Sequence, residues 1–124
     1  MRGPIRIASA QYDIGSPASW DQYAQKIEAW TQEARLQGAH LLVFPEYFSM
    51  ELAHLFPQKI QKSLNLQLDA LQELLGDFQN LFSKLAQAHQ VHIVAGTFPV
   101  RDTDGCYRNR SFLFYPDGPI RHQD

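Results

Sequence analysis

A chain of 124 residues, 44% apolar and 19% charged, has the composition of one globular domain and can bury roughly two-thirds of its unfolded surface, which excludes a disordered chain. Eleven Lys and Arg against thirteen Asp and Glu, scattered without a run, give a formal charge of -2, so no long-range field draws nucleic acid or an anionic membrane. No apolar stretch approaches the ~20 residues of a membrane helix or the apolar core of a signal peptide, and the single cysteine, Cys106, excludes an internal disulfide and agrees with a reducing, cytoplasmic setting.

In chain order, Met1-Arg2-Gly3-Pro4 leads into a first strand over residues 5–11, with Ile5 and Ile7 on one face and the small Ala8 and Ala10 able to sit under a helix on the other. After a loop over 13–17, Ser19-Trp20-Asp21-Gln22 fits a capping box: Ser19 accepts from the first free amides, Gln22 reaches back, and Asp21 suits the positive helix start. Trp20, Tyr23, Ala24, Ile27, Trp30 and Ala34 then recur at spacings of three and four, with Gln22, Lys26, Glu33 and Arg35 elsewhere on the surface and Gly38 as the helix stop. Four consecutive apolar residues, Leu41-Leu42-Val43-Phe44, read as a short strand buried on both faces, as in parallel sheets covered by helices, and Pro45 ends it. Strand, helix and strand in this order favour a right-handed parallel crossover. Glu46 therefore falls at the carboxyl end of a parallel strand, where open α/β sheets collect ligands. A carboxylate there is a candidate for acid–base work, and the residues alone leave open a solvated or helix-capping glutamate.

Beyond Glu46, Phe48, Met50, Leu52, Leu55 and Phe56 suggest a short helix or apolar loop roofing that crevice. Apolar residues at 64, 68, 71, 75, 78, 82 and 85 alternate by fours and threes, as a coiled coil would. Leu66, Leu74, Leu81 and Ala88 broaden the stripe, and Gly76-Asp77 offers a break, so the reading is two helices, about 65–75 and 77–89, with Asp77 capping the second; a single long helix or intermolecular seam is the alternative. A third strand is expected over 91–98, a hairpin turn at Asp104-Gly105, a fourth strand over about 107–115 and a turn at Pro116-Asp117-Gly118, after which the chain reaches Asp124 before a further strand is completed.

The five histidines, at 40, 54, 89, 92 and 122, form no H-x-x-x-H pair, and neither a G-x-S-x-G elbow nor a glycine-rich phosphate loop occurs, so no metal, nucleotide or other cofactor is expected.

The segment Gly38-Ala39-His40-Leu41-Leu42-Val43-Phe44-Pro45-Glu46-Tyr47-Phe48 resembles the first signature of the nitrilase (carbon–nitrogen hydrolase) superfamily, in which a strand runs into a Pro-Glu pair. Ile5-Arg6-Ile7-Ala8-Ser9-Ala10-Gln11 resembles the family's opening strand and Val91-His92-Ile93-Val94-Ala95-Gly96 its third. Tyr107-Arg108-Asn109-Arg110-Ser111-Phe112 followed by Pro116-Asp117-Gly118 resembles the strand and hairpin that lead to its lysine. The resemblance implies an α/β fold, residues 1–124 being the amino-terminal part of one domain whose complete form is an α-β-β-α sandwich. It implies hydrolysis of a small-molecule amide or nitrile through a Glu-Lys-Cys triad and a thioester, in an enzyme assembled as a dimer or larger. Glu46 matches the general base. The lysine would follow Asp124 and the cysteine would lie later still, so the 124 residues alone are expected to be inactive. Cys106, beside a hairpin turn and ahead of the lysine in order, is no substitute, nor are Lys59, Lys62 or Lys84; Asn109 matches a recurrent family position and is read as a turn or backbone hydrogen-bonding residue. The alternative is a non-catalytic interaction module that uses the helices at 64–89.

Overall fold

The computed structural model describes residues 4–46 and 48–124; residues 1–3, and Tyr47 of the Pro-Glu-Tyr motif, lie outside the described residues. The chain runs β1 (Ile7–Ser9), α1 (Trp20–Leu36), β2 (Leu41–Phe44), a 3₁₀ helix (Phe48–Leu55), α2 (Gln58–Gln61), α3 (Leu64–Leu71), α4 (Leu75–His89), β3 (His92–Ala95), β4 (Phe98–Arg101), β5 (Tyr107–Phe114) and β6 (Ile120–Gln123). β1, β2 and β3 are mutually parallel, and β5 runs antiparallel to β3, β4 and β6.

Helix α1 starts as its sequence dictates: Ser19 Oγ accepts from Gln22 N at 3.1 Å, while Gln22 Oε1 accepts from Ala18 N at 2.6 Å, one residue earlier than the expected reciprocal bond. It ends in a paired C-terminal motif, with Gly38 N donating to Arg35 O at 2.9 Å and Ala39 N to Ala34 O at 3.1 Å. Closing those two bonds requires Gly38 at φ +85°, which a side chain disfavours.

The helices cover one face of the sheet. Leu42 and Phe44 of β2, Ile93 and Ala95 of β3, and Phe112 and Phe114 of β5 all join one core with Tyr23 and Ile27 of α1 and Phe78 and Phe82 of α4. Phe82 packs on Phe78 at 4.8 Å, Phe114 at 5.6 Å and Phe44 at 5.7 Å between ring centroids, and each fully buried Phe contributes about 1.5–3 kcal/mol. The expectation that Leu41–Phe44 is buried on both faces is corrected: the alternate residues Leu41 and Val43 stay half-exposed because no described layer covers that side. Leu41, His92, Val94 and Leu113 line an open groove there with Ile5 and His40.

Three further expectations change. The strand expected over 91–98 is two strands, because Gly96 adopts φ +54° and turns β4 onto residues 107–110 of β5 while β3 pairs with residues 113–114. The helical break lies at a 3₁₀ turn, Gln72–Leu74, rather than at Gly76-Asp77; Leu71, Gln72, Leu74 and Leu75 keep right-handed helical dihedrals, no side chain caps the start of α4, and Asp77 sits within its first turn. A further strand is also completed before Asp124, since β6 pairs with Ser111–Phe114. Finally, Gln72 projects from the 3₁₀ turn onto β4, donating to Pro99 O at 2.7 Å and accepting from Arg101 N at 3.0 Å.

Candidate active site

The two parallel neighbours of β2 fix its direction, so the chain leaves the sheet at the carboxyl end through Pro45 and presents Glu46. Two anchors follow within five residues. Ser49, fully buried, donates from Oγ to Thr97 O at 2.6 Å, and Glu51, also fully buried, ties the 3₁₀ helix to the β1–α1 region. The Pro45-Glu46 turn is thereby held between the buried Phe44 and this doubly anchored helix.

The Glu46 carboxylate is exposed, and its Oε1 accepts from Asn109 Nδ2 at 3.1 Å. Asn109 lies in β5 opposite Pro99, not in a turn, and its side chain bonds Glu46 rather than backbone, which corrects the sequence expectation. It also closes one end of a cleft of about 410 Å³, whose other walls are Met50 of the 3₁₀ helix, Leu64 and Leu68 of α3, Pro99 of β4, and Tyr107 and Arg108 of β5. The carboxylate is thus linked through one oxygen to a residue that lines a largely apolar cavity.

Charged groups around the cleft are already paired. Asp69 of α3 accepts from both Arg101 Nη2 and the Tyr107 hydroxyl, and these donors, Tyr107 foremost, hold its carboxyl below the usual carboxylate range. Arg108 Nη2 donates to Asp104 at 2.9 Å, and its Nε lies 3.8 Å from Asp102. Asp104 is itself held low, first by the backbone amide of Cys106 and then by Arg108.

The sequence reading missed a second cluster, around Glu51. Its carboxylate accepts from the Tyr12 hydroxyl at 2.5 Å, from Lys26 Nζ at 2.7 Å and from Gly15 N. Lys26, expected on the open surface, instead reaches inward across α1, donates also to Asp13 O at 2.5 Å, and stands 4.3 Å from the centroid of the Tyr12 ring. A carboxylate with no exposed surface needs this many donors to offset its lost hydration. Burial, followed by the bond to Glu51, pushes the Tyr12 hydroxyl well above its ordinary range. The available signal was an acidic residue inside the apolar run Met50-Glu51-Leu52-Ala53; its partners, 25 and 39 residues away, carry no local mark.

Cys106 is exposed in the β4–β5 turn, and Lys59, Lys62 and Lys84 are exposed and line no part of the cleft. Among the described residues no group of three or more His, Cys, Asp or Glu is placed to hold a metal ion, and no helix is long and apolar enough to cross a membrane.

Comparison with known proteins gives these features a context. The family model for carbon–nitrogen hydrolase matches residues 6–123. "Probable hydrolase YhcX" of Bacillus subtilis (strain 168) is 29% identical over 120 residues, covering 97% of this chain and 23% of that protein. Among solved structures, a carbon–nitrogen hydrolase from Helicobacter pylori G27 superposes with a TM-score of 0.71 at 22% identity, over 96% of this chain and 38% of its own. An amidase from Nesterenkonia sp. gives 0.61 at 22% identity, over 98% and 42%. The C. elegans NitFhit protein gives 0.67 at 15% identity, over 96% and 26%. At these identities the structures establish a shared fold, and the chain spans less than half the length of each relative.

Proposed function

The chain belongs to the carbon–nitrogen hydrolase family, and on that premise we propose that it supplies the general base of an enzyme that hydrolyses a small-molecule amide. Glu46 takes the proton from a cysteine thiol; the thiolate attacks the amide carbon, and the tetrahedral intermediate expels ammonia or an amine, which leaves with the proton Glu46 returns. Water then cleaves the thioester, with Glu46 again accepting a proton. A base is needed because a free thiol is mostly protonated near neutral pH, and a lysine is the group expected to stabilise the developing oxyanion. The thiol is not that of Cys106, which sits exposed in a hairpin turn. Cysteine and lysine would both come from sequence other than these 124 residues, which alone would be inactive.

The observation that carries this reading is the place of Glu46, at the carboxyl end of a parallel strand, with Nδ2 of the cleft-lining Asn109 at 3.1 Å from one oxygen. That bond orients the carboxylate. The rival reading, an interaction module built on residues 64–89, finds less support: Phe78, Phe82, Leu85 and Ala86 of α4 are buried against the sheet rather than offered to a partner.

The test is Glu46→Gln in the enzyme that carries this segment together with its lysine and cysteine. Ammonia release should fall by about 10²–10⁴-fold, the usual contribution of a positioned base, with the circular dichroism spectrum unchanged. Turnover within tenfold of the parent enzyme would remove Glu46 from the mechanism.

A further inference from the structure

An eight-residue 3₁₀ run such as Phe48–Leu55 is intrinsically weak, because its backbone bonds are poorly aligned and runs beyond about three or four residues are uncommon. Its place has to come from side chains, and two of them carry buried polar groups, Ser49 and Glu51. Ser49 Oγ donates to Thr97 O at 2.6 Å, just ahead of Pro99, which lies opposite Asn109 in the β4–β5 pairing. Asn109 in turn donates to Glu46, so the contacts close a ring that runs from Glu46 through Ser49, Thr97, Pro99 and Asn109 back to Glu46. The second anchor comes from other parts of the chain. Glu51 Oε1 accepts from the Tyr12 hydroxyl beyond β1, and Oε2 accepts from the Gly15 amide in the β1–α1 loop and from Lys26 Nζ of α1. That loop passes so close that a Cβ on Gly15 would stand 3.3 Å from Lys26 Nζ and 3.5 Å from Glu51 Oε2. An apolar side chain at position 51 could fill the same core, and a buried ion pair is often no more stabilising than such a replacement. What the carboxylate adds is direction: three donors on two oxygens keep the 3₁₀ helix from sliding or turning.

We propose that Glu51 is a positioning residue for Glu46, with Ser49 as its counterpart: together they fix the 3₁₀ helix so that the base stays in place against Asn109 and towards the thiol whose proton it takes. The proposal rests on the amide-hydrolase reading and adds residues that act on the base from a distance. Glu51 has no exposed surface, so it touches no substrate and works only through the chain that joins it to Glu46. Lys26 and Tyr12 serve the same end by holding Glu51.

The test uses the enzyme that carries this segment together with its lysine and cysteine, with rates taken per folded molecule. Lys26→Met and Ser49→Ala should each lower kcat about tenfold, a fraction of the roughly hundredfold loss that a misplacement of about 1 Å brings, and leave KM within about twofold. Ser49→Ala removes a single hydroxyl and carries the test if Lys26→Met does not fold. Lys26→Arg, which keeps the cation, should recover most of the loss. Leu85→Ala, which opens the buried core at α4, should destabilise the fold while kcat holds. In a Glu46→Gln background, Lys26→Met should cost less than about a further twofold, because the anchor acts through the base. Parent-like kcat in both anchor variants, an equal loss in Leu85→Ala, or an undiminished loss on top of Glu46→Gln would overturn the proposal and leave the base assignment standing. Turnover retained by Glu46→Gln would instead sink that assignment, and the positioning role with it.

Discussion

Replacing Lys26 with methionine isolates the energetic role of the buried Glu51. The Met side chain keeps most of the packing of the lysine stem but removes the ion pair at 2.7 Å, the bond to Asp13 O and the cation over the Tyr12 ring. Glu51, with none of its side chain exposed, is left with the Tyr12 hydroxyl and the Gly15 amide. Removing one partner of a fully buried pair costs about 3–5 kcal/mol, and because the Lys26 side chain remains 30% exposed we expect less, about 2–3 kcal/mol. At about 4 °C per kcal/mol for a domain of this size, the melting temperature should drop by roughly 10 °C. Urea unfolding followed by far-ultraviolet circular dichroism at pH 7 reads the change. The double variant Lys26→Met/Glu51→Gln should recover about half of it, since the remaining amide is neutral and still accepts from Tyr12 and Gly15. A cost under about 1 kcal/mol for Lys26→Met, the worth of an ordinary surface pair, would refute the claim that Glu51 depends on this lysine.

Other expectations follow from the same packing. The Tyr23 hydroxyl is buried with no hydrogen-bond partner among the described residues, so Tyr23→Phe should stabilise the chain by about 1 kcal/mol in the same urea assay. Burial, foremost, raises both Tyr12 and Tyr23 above the ordinary value of 10.0. The unfolded chain therefore loses these protons first: the stability they contribute is complete below pH 10 and declines above it by up to about 1.4 kcal/mol per pH unit for each tyrosine, and Tyr12→Phe should flatten the decline between pH 10 and 11.5. The open sheet face, with Leu41, Val94 and Leu113 lining a groove of about 290 Å³, should drive self-association of the isolated chain. Light scattering should report a mass above that of a monomer, shifted towards it by Val94→Lys; a clean monomer in the parent chain would show that the face tolerates water.

What the sequence disclosed was local. Ser19 and Gly38 mark the ends of α1 by their own backbone chemistry, and the run 41–44 with Pro45 and Glu46 fixes where a strand stops and which residue comes next. The pairing of Asn109 with Glu46 spans 63 residues and depends on the register of β5 against β4, which alternating apolar residues do not specify. The four apolar residues of β2 say that both faces of the strand can accept cover, not that both receive it. The heptad-like pattern from Leu64 concealed its own interruption, because the chain tightens into a 3₁₀ turn without leaving helical dihedrals or breaking the stripe.

The amide of Gln72 has a consequence for solubility. An outermost strand with unpaired backbone groups is a template on which foreign strands assemble. Here one glutamine offers the outer edge of β4 the same donor–acceptor couple that an adjoining peptide would, satisfying Pro99 O and Arg101 N from a helix-borne side chain. A stray strand seeking to lengthen the sheet at that border finds its docking points taken, at the cost of a single residue.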